Sequence, residues 1–142
     1  MTDMPSYHRL CPETAHLLHG ADVFDYPVDP EQLGRFVKDQ GHHLVFARVG
    51  AQVIGFASGT VLLHPDKPPA FFINEVDVVP DFQRQGVATA LCRKLIAMVR
   101  AQGCVGIWLA TEADNHAARA LYRGLAGRET DAVVVYDWDA DI

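Results

Sequence analysis

The chain has 142 residues, with 12 Lys and Arg against 18 Asp and Glu for a formal net charge of -6; it is one domain long and large enough to bury a core without staples. That balance disfavours nucleic acid as a partner and favours a cationic one. Cys11, Cys92 and Cys104 are odd in number and lack a C-x-x-C spacing, so neither a disulfide framework nor a metal site is signalled, and no basic leader or long apolar run points to export or a membrane. The expectation is one soluble, cytoplasmic domain over residues 1–142.

Residues 7–10 read as a first strand. Cys11-Pro12-Glu13 then opens a helix to about His19, and Gly20 ends it. A loop rich in acids and rings follows, Ala21 to Asp29, with Phe24, Asp25 and Tyr26 at its centre; these residues either plug and cap, or form a lid for a cationic ligand. Residues 30–38 read as a second helix, with Asp29 as N-cap and Gly41 beyond its end. Residues 42–49 and 52–63 are strand-like runs joined by Gly50-Ala51 in a tight hairpin, and Gly55 and Gly59 suggest a bend or bulge in the second. A proline-rich connection over 64–69 leads into a strand over 71–79, completing a three-stranded meander.

The informative stretch begins there. Pro80 stops the strand at Val79 by removing a donor. From Arg84 on, Ala88, Leu91, Cys92, Leu95, Ile96 and Val99 recur at the three-and-four spacing of a helix with one buried face. A helix start leaves N–H groups without partners and carries partial positive charge, which makes it an anion site. Gly86 and Ala88 are small enough for a bulky anion to approach, and Arg84 adds a full charge. No P-loop or dinucleotide fingerprint is present. After this helix ends near Gly103, residues 105–111 read as a strand buried on both faces, 115–126 as a helix and 133–138 as a last strand. The order β-α-α-β-β-β-α-β-α-β is an α/β (α+β) arrangement, a mixed sheet flanked by helices.

The segment Gln83-x-x-Gly86-x-Ala88, following a strand that ends Val78-Val79-Pro80, resembles the acyl-CoA pyrophosphate loop of the GNAT N-acetyltransferase superfamily. A second segment, Asn115-x-x-Ala118-x-x-Leu121-Tyr122, looks like the GNAT helix that holds the far side of the cofactor. The resemblance implies acetyl-CoA as cosubstrate. Its pantetheine would lie along Val78 and Val79, and its pyrophosphate on Gln83, Arg84, Gln85, Gly86, Val87, Ala88 and Thr89. Asn115 and Ala118 would hold its other side. Tyr122, on one helical face with them, is the expected proton donor to the departing thiolate. A protonated amine is no nucleophile, so a carboxylate must accept its proton. Glu75 and Asp77 are two apart on a strand and share a face. The resemblance favours Glu75 as the base, whereas Asp77 lies closer to the expected thioester. Cys92 and Cys104 lack the setting of a nucleophile, so direct attack of the amine is the expected route.

Within the superfamily, residues 84–91, Ala120-Leu121-Tyr122 and the ending Tyr136-Asp137-Trp138-Asp139 look most like the small aminoglycoside 3-N-acetyltransferases. Asp25, Glu112, Asp137 and Asp139 would then line an acidic cleft for a polycationic aminosugar, with Phe24 and Tyr26 beside it. Acetylation of a peptide or other small amine, and a non-catalytic acyl-CoA-binding module, are the alternatives. A homodimer is compatible with the sequence, which does not fix the oligomeric state.

Overall fold

The computed structural model describes residues 4–140. Its elements are β1 (Ser6–Arg9), α1 (Pro30–Lys38), β2 (His42–Val49), β3 (Gln52–Leu62), β4 (Ala70–Val78), α2 (Val87–Ala101), β5 (Gly106–Trp108) and α3 (His116–Gly124), with 3-10 turns at Ala15–Leu18 and Pro80–Phe82. The chain groups into two compact units, residues up to 110 and residues from 111 on.

In the first unit the five strands are ordered β1-β2-β3-β4-β5. The first four pair antiparallel and β5 joins β4 in parallel. One face carries α2, whose Val87, Leu91, Leu95 and Val99 pack with Val45, Ala47, Ile54, Ala57, Phe71 and Ile73. The other face carries α1 and the chain before it: Leu33 and Phe36 join Leu18, Val23, Leu44, Phe46 and Phe56. Both faces are thus covered, which the apolar content of β2 and β3 requires. Helix α1 starts where its sequence says, because the Asp29 carboxylate accepts from the N–H groups of Glu31 and Gln32 at 2.8 and 3.3 Å.

A bulge in β4 decides which residues reach which face. Ser58 pairs with Glu75 and Gly59 with Ile73, so Asn74 is an extra residue without an opposite number. Strict alternation would place Phe71, Ile73, Glu75 and Asp77 together. With the extra residue, Phe71, Ile73, Val76 and Val78 all join the core under α2. Phe72, Glu75 and Asp77 are turned to the opposite face. Gly59 sits beside the bulge for a steric reason, since a Cβ there would lie 2.5 Å from the Phe71 ring and closer still to the Phe72 carbonyl.

Several expected elements differ. The helix expected over residues 12–19 is only the 3-10 turn Ala15–Leu18. There the Thr14 hydroxyl donates to the Arg9 carbonyl at 2.8 Å and accepts from Cys11 N–H at 3.0 Å, holding a turn in place of a first helical hydrogen bond. Strand β5 is three residues long rather than seven and is not buried on both faces: Val105 is 72% and Trp108 52% exposed, as befits a sheet edge paired only to β4.

In the second unit, α3 is capped by Asn115, whose side-chain oxygen accepts from Ala118 N–H at 3.1 Å. Arg119 and Arg123 then clasp Glu129 at 2.9 and 2.8 Å and hold its carboxyl down to about 2. The last strand expected over 133–138 does not form: those residues enter no ladder among the described residues, and Val133, Val134, Val135, Tyr136 and Trp138 are all exposed. A strand needs a partner for its backbone groups, and a β-prone composition alone supplies none.

Candidate active site

The site is built at the C-terminal end of β4. Beyond Phe72, which pairs with Trp108, no residue of β4 pairs with β5, so the far side of β4 is open from Ile73 on. In an antiparallel ladder alternate residues point their N–H and C=O toward the partner. Val79 N–H donates to Ile54 O at 2.8 Å across to β3, so Val78 points its own groups to the open side. There two side chains occupy them: Asp77 Oδ1 accepts from Val78 N–H and Gln83 Nε2 donates to Val78 O, each at 2.9 Å. Asp77 is therefore engaged with the backbone, and Gln83 ties the following loop to the strand.

Glu75 sits differently. It lies opposite the buried Ser58, on the face where Phe24 packs on Phe56 with ring centroids 4.4 Å apart. Its side chain is solvent-exposed, yet the protein beside it desolvates the carboxyl enough to push it above the usual carboxylate range, and the negative charges of Asp25 and Asp77 push it further the same way. Asp25, in the loop before α1, thus lies within electrostatic reach of Glu75. Tyr26 beside it is 82% exposed and Phe24 is half-buried as a plug, so the aromatics of that loop divide between packing and solvent.

The loop from Gln83 to Gly86 is exposed and turns sharply. Arg84 and Gly86 both have positive φ, 63° and 83°, with Gln85 between them donating to Asp81 O at 3.3 Å. Gly86 is the N-cap of the fifteen-residue α2 and supplies no side-chain cap. Backbone N–H groups at the start of α2 are thus left to solvent or a ligand, at the positive end of the helix dipole. Nothing lies within 4 Å of the place a Gly86 Cβ would take, so the space over the loop is open. Val87 is 2% exposed and packs into the core, so only its backbone can serve an anion, whereas Ala88 and Thr89 are partly exposed. These residues fit a pyrophosphate-bearing acyl-CoA.

In the second unit Ala118 and Tyr122 are partly buried on α3, and Tyr122 O accepts from Gly127 N–H at 2.9 Å. Asn115 works as the helix cap. Glu112, Asp137 and Asp139 are exposed in irregular chain. The thiols of Cys92 and Cys104 are buried: burial pushes Cys92 up to about 11 and also raises Cys104, far from the thiolate a nucleophile needs. Among the described residues no cluster of His, Cys, Asp and Glu could hold a metal, and no helix is long and apolar enough to cross a membrane.

Sequence reasoning missed Ser58 opposite Glu75 and the aromatic pair Phe72–Trp108, ring centroids 4.4 Å apart. Their faces follow from the bulge at Asn74, which the expected bend or bulge at Gly59 on the neighbouring strand signals but does not place on β4.

The chain is similar to known proteins. Residues 7–126 match the acetyltransferase (GNAT) family. The N-alpha-acetyltransferase RimI of Mycobacterium tuberculosis is 33% identical over 72% of this chain and 63% of its own length. An aminoglycoside N(6')-acetyltransferase type 1 from an Acinetobacter genomospecies is 31% identical over 48% of this chain and 47% of its own. The chain thus spans less than two thirds of these curated relatives. Among solved structures, an aminoglycoside acetyltransferase from an uncultured soil metagenomic sample, in complex with sisomicin, superimposes with a TM-score of 0.81 at 17% identity, covering 95% of each chain. A ribosomal-protein-alanine N-acetyltransferase from Brucella melitensis does so at 0.72 and 19%, covering 95% of this chain and 100% of its own. Such likenesses speak for the fold, and the splayed β4, the uncapped start of α2 and the match over 7–126 agree on one conclusion: this chain belongs to the GNAT family of acetyltransferases, whose acyl donor is acetyl-CoA.

Proposed function

We propose that the protein transfers an acetyl group from acetyl-CoA to an amine of an aminoglycoside, as one acetyltransferase domain over residues 1–142. The observation that carries this reading is that Glu75 and Asp77 share the face of the sheet on which Phe24, the neighbour of Asp25, packs on Phe56: two further carboxylates near one candidate base suit a substrate that brings several ammonium groups.

Acetyl-CoA supplies the activated thioester; the chain's residues do the rest. Backbone N–H groups from Arg84 to Thr89 hold the phosphates, and the side chains of Asp77 and Gln83 yield the Val78 backbone groups to the cofactor's amides. Val79 continues that strand edge, and Asn115 and Ala118 are the α3 residues that the resemblance assigns to the cofactor. Glu75, its carboxyl raised by its surroundings, accepts the proton of the substrate ammonium directly or through water. The freed amine attacks the thioester carbonyl, the C–N bond forms as the C–S bond breaks, Tyr122 gives its proton to the departing sulfur, and the second proton of the attacking nitrogen, passed through water, restores the Tyr122 hydroxyl. Asp25, Glu112, Asp137 and Asp139 hold the other ammonium groups, with Phe24 and Tyr26 at the mouth.

The sequence resemblance points to the 3-amine and the name of the Acinetobacter relative to a 6'-amine; NMR of the product assigns the position. Thiol release on a panel of gentamicin-like and neamine-like drugs tests the activity, and no release from any of them overturns it. A specific observation favours a second reading: the 33% identity to an N-alpha-acetyltransferase supports acetylation of a peptide N-terminus, so peptides belong in the panel. The exposed run Val133, Val134, Val135, Tyr136 and Trp138 supports a homodimer, which sedimentation of the full chain would detect.

A further inference from the structure

A second pair of aromatic rings lies on the same face of the sheet as Glu75. Phe72 pairs across the sheet with Thr60 on one side and Trp108 on the other, and Glu75 pairs with Ser58. Ser58 and Thr60 are two apart on β3, so Phe72 and Glu75 are same-face neighbours about 7 Å apart along the strand. The Phe72 and Trp108 rings lean together with centroids 4.4 Å apart at 37°. Trp108 is 52% exposed and Phe72 half-buried, so the pair presents an apolar shelf beside an acidic site. Across the sheet from this shelf, Phe36 of α1 tilts against His42, the Thr60 partner on β2, so a helix side chain packs at that end while Trp108 at the other end is left half open to solvent.

We propose that Phe72 and Trp108 form the stacking platform for a non-reacting ring of an aminosugar substrate, and so help decide which amine reaches Glu75; this rests on the aminoglycoside reading above. The chemistry is complementary in both halves. An aminosugar ring has an apolar C–H face that suits an aromatic surface, and its ammonium groups are drawn both to carboxylates and to the electron-rich face of an indole. A linear polyamine offers the charge without the ring face and uses the carboxylates alone. The platform thus separates ring amines from chain amines, which the acidic cluster by itself does not.

The experiment uses the whole chain carrying Trp138→Phe, which leaves Trp108 as the sole tryptophan of the two present. Neamine, the probe, should change Trp108 emission saturably, and spermine should leave it nearly unchanged. In the otherwise native protein, Trp108→Ala and Phe72→Ala should each raise KM for neamine about five- to tenfold, the scale of one partly desolvated ring contact, with kcat within about twofold. The KM for spermine should not move. Trp108→Phe should retain part of the effect, separating ring stacking from fold damage. Emission indifferent to saturating neamine, or an unchanged KM in Trp108→Ala, overturns the platform. An emission change without turnover keeps the platform and refutes aminosugar acetylation; turnover with unchanged KM in both alanine variants does the reverse.

Discussion

Residues 71–79 and residues 133–138 are both runs of β-branched and aromatic residues broken by acids, yet the first forms an interior strand of the sheet while the second enters no ladder among the described residues. In β4, a partner on each side satisfies the backbone near Ala70–Phe72, and the side chains of Asp77 and Gln83 satisfy Val78 where β5 leaves. In the C-terminal run the apolar side chains stay exposed. The lesson is that strand propensity states a willingness to pair, and that the partner decides.

The widest contrast is in stability. Phe71 is fully buried against α2, so Phe71→Ala should cost about 3–5 kcal/mol; Val135, 73% exposed, should on replacement by Ala change stability by less than about 0.5 kcal/mol. Denaturant melts of the two variants check this, and a large loss in Val135→Ala would mean that the run is covered, as in a dimer.

Next in size is Tyr122→Phe, which should lower turnover about a hundredfold while acetyl-CoA affinity holds, because a general acid acts only as the thiolate departs. Wild-type turnover would return Tyr122 to packing on α3. Smaller still, Asp139→Asn in the exposed run should raise the Michaelis constant a few-fold at low salt and hardly at all at high salt, as for a solvated charge pair.

The smallest effect concerns what the base costs the fold. The Glu75 carboxyl is raised in the folded chain, so the folded state holds that proton more tightly than the unfolded one. Stability therefore falls as pH climbs from the ordinary carboxylate range, about 4.3, through the raised value, and the loss persists above it. Glu75→Gln, neutral throughout, should melt slightly higher than the native chain at pH 7 and level with it in acid, a small case of function opposing stability.

How much of this was legible beforehand follows from the range of the signals. Pro80, Gly86 and the helical spacing from Ala88 to Val99 act within a few residues, and they mark the turn and α2 where the structure has them. So does Asp29 as a cap. Glu75 and Asp77 sharing a face also holds, because the two follow the bulge together. What distinguishes them, the Asp77 hydrogen bond to Val78 N–H, leaves no mark in the pattern, and what joins Phe72 to their face, the extra residue at Asn74, is signalled only from across the ladder, by Gly59 on β3. The failures at residues 12–19, in β5 and at 133–138 share one cause: each pattern was right for an element whose partner or first hydrogen bond the structure supplies otherwise.

The central claim is that Glu75, held above its ordinary ionisation by desolvation and by Asp25 and Asp77, takes the proton from the substrate amine. The pH dependence of thiol release, native against Glu75→Gln, tests it most directly. The native rate should rise with pH through the raised Glu75 ionisation, and Glu75→Gln should lose that limb and about a hundredfold in turnover with acetyl-CoA affinity unchanged. A variant that keeps both the limb and native turnover would contradict the assignment and leave the base elsewhere on the face.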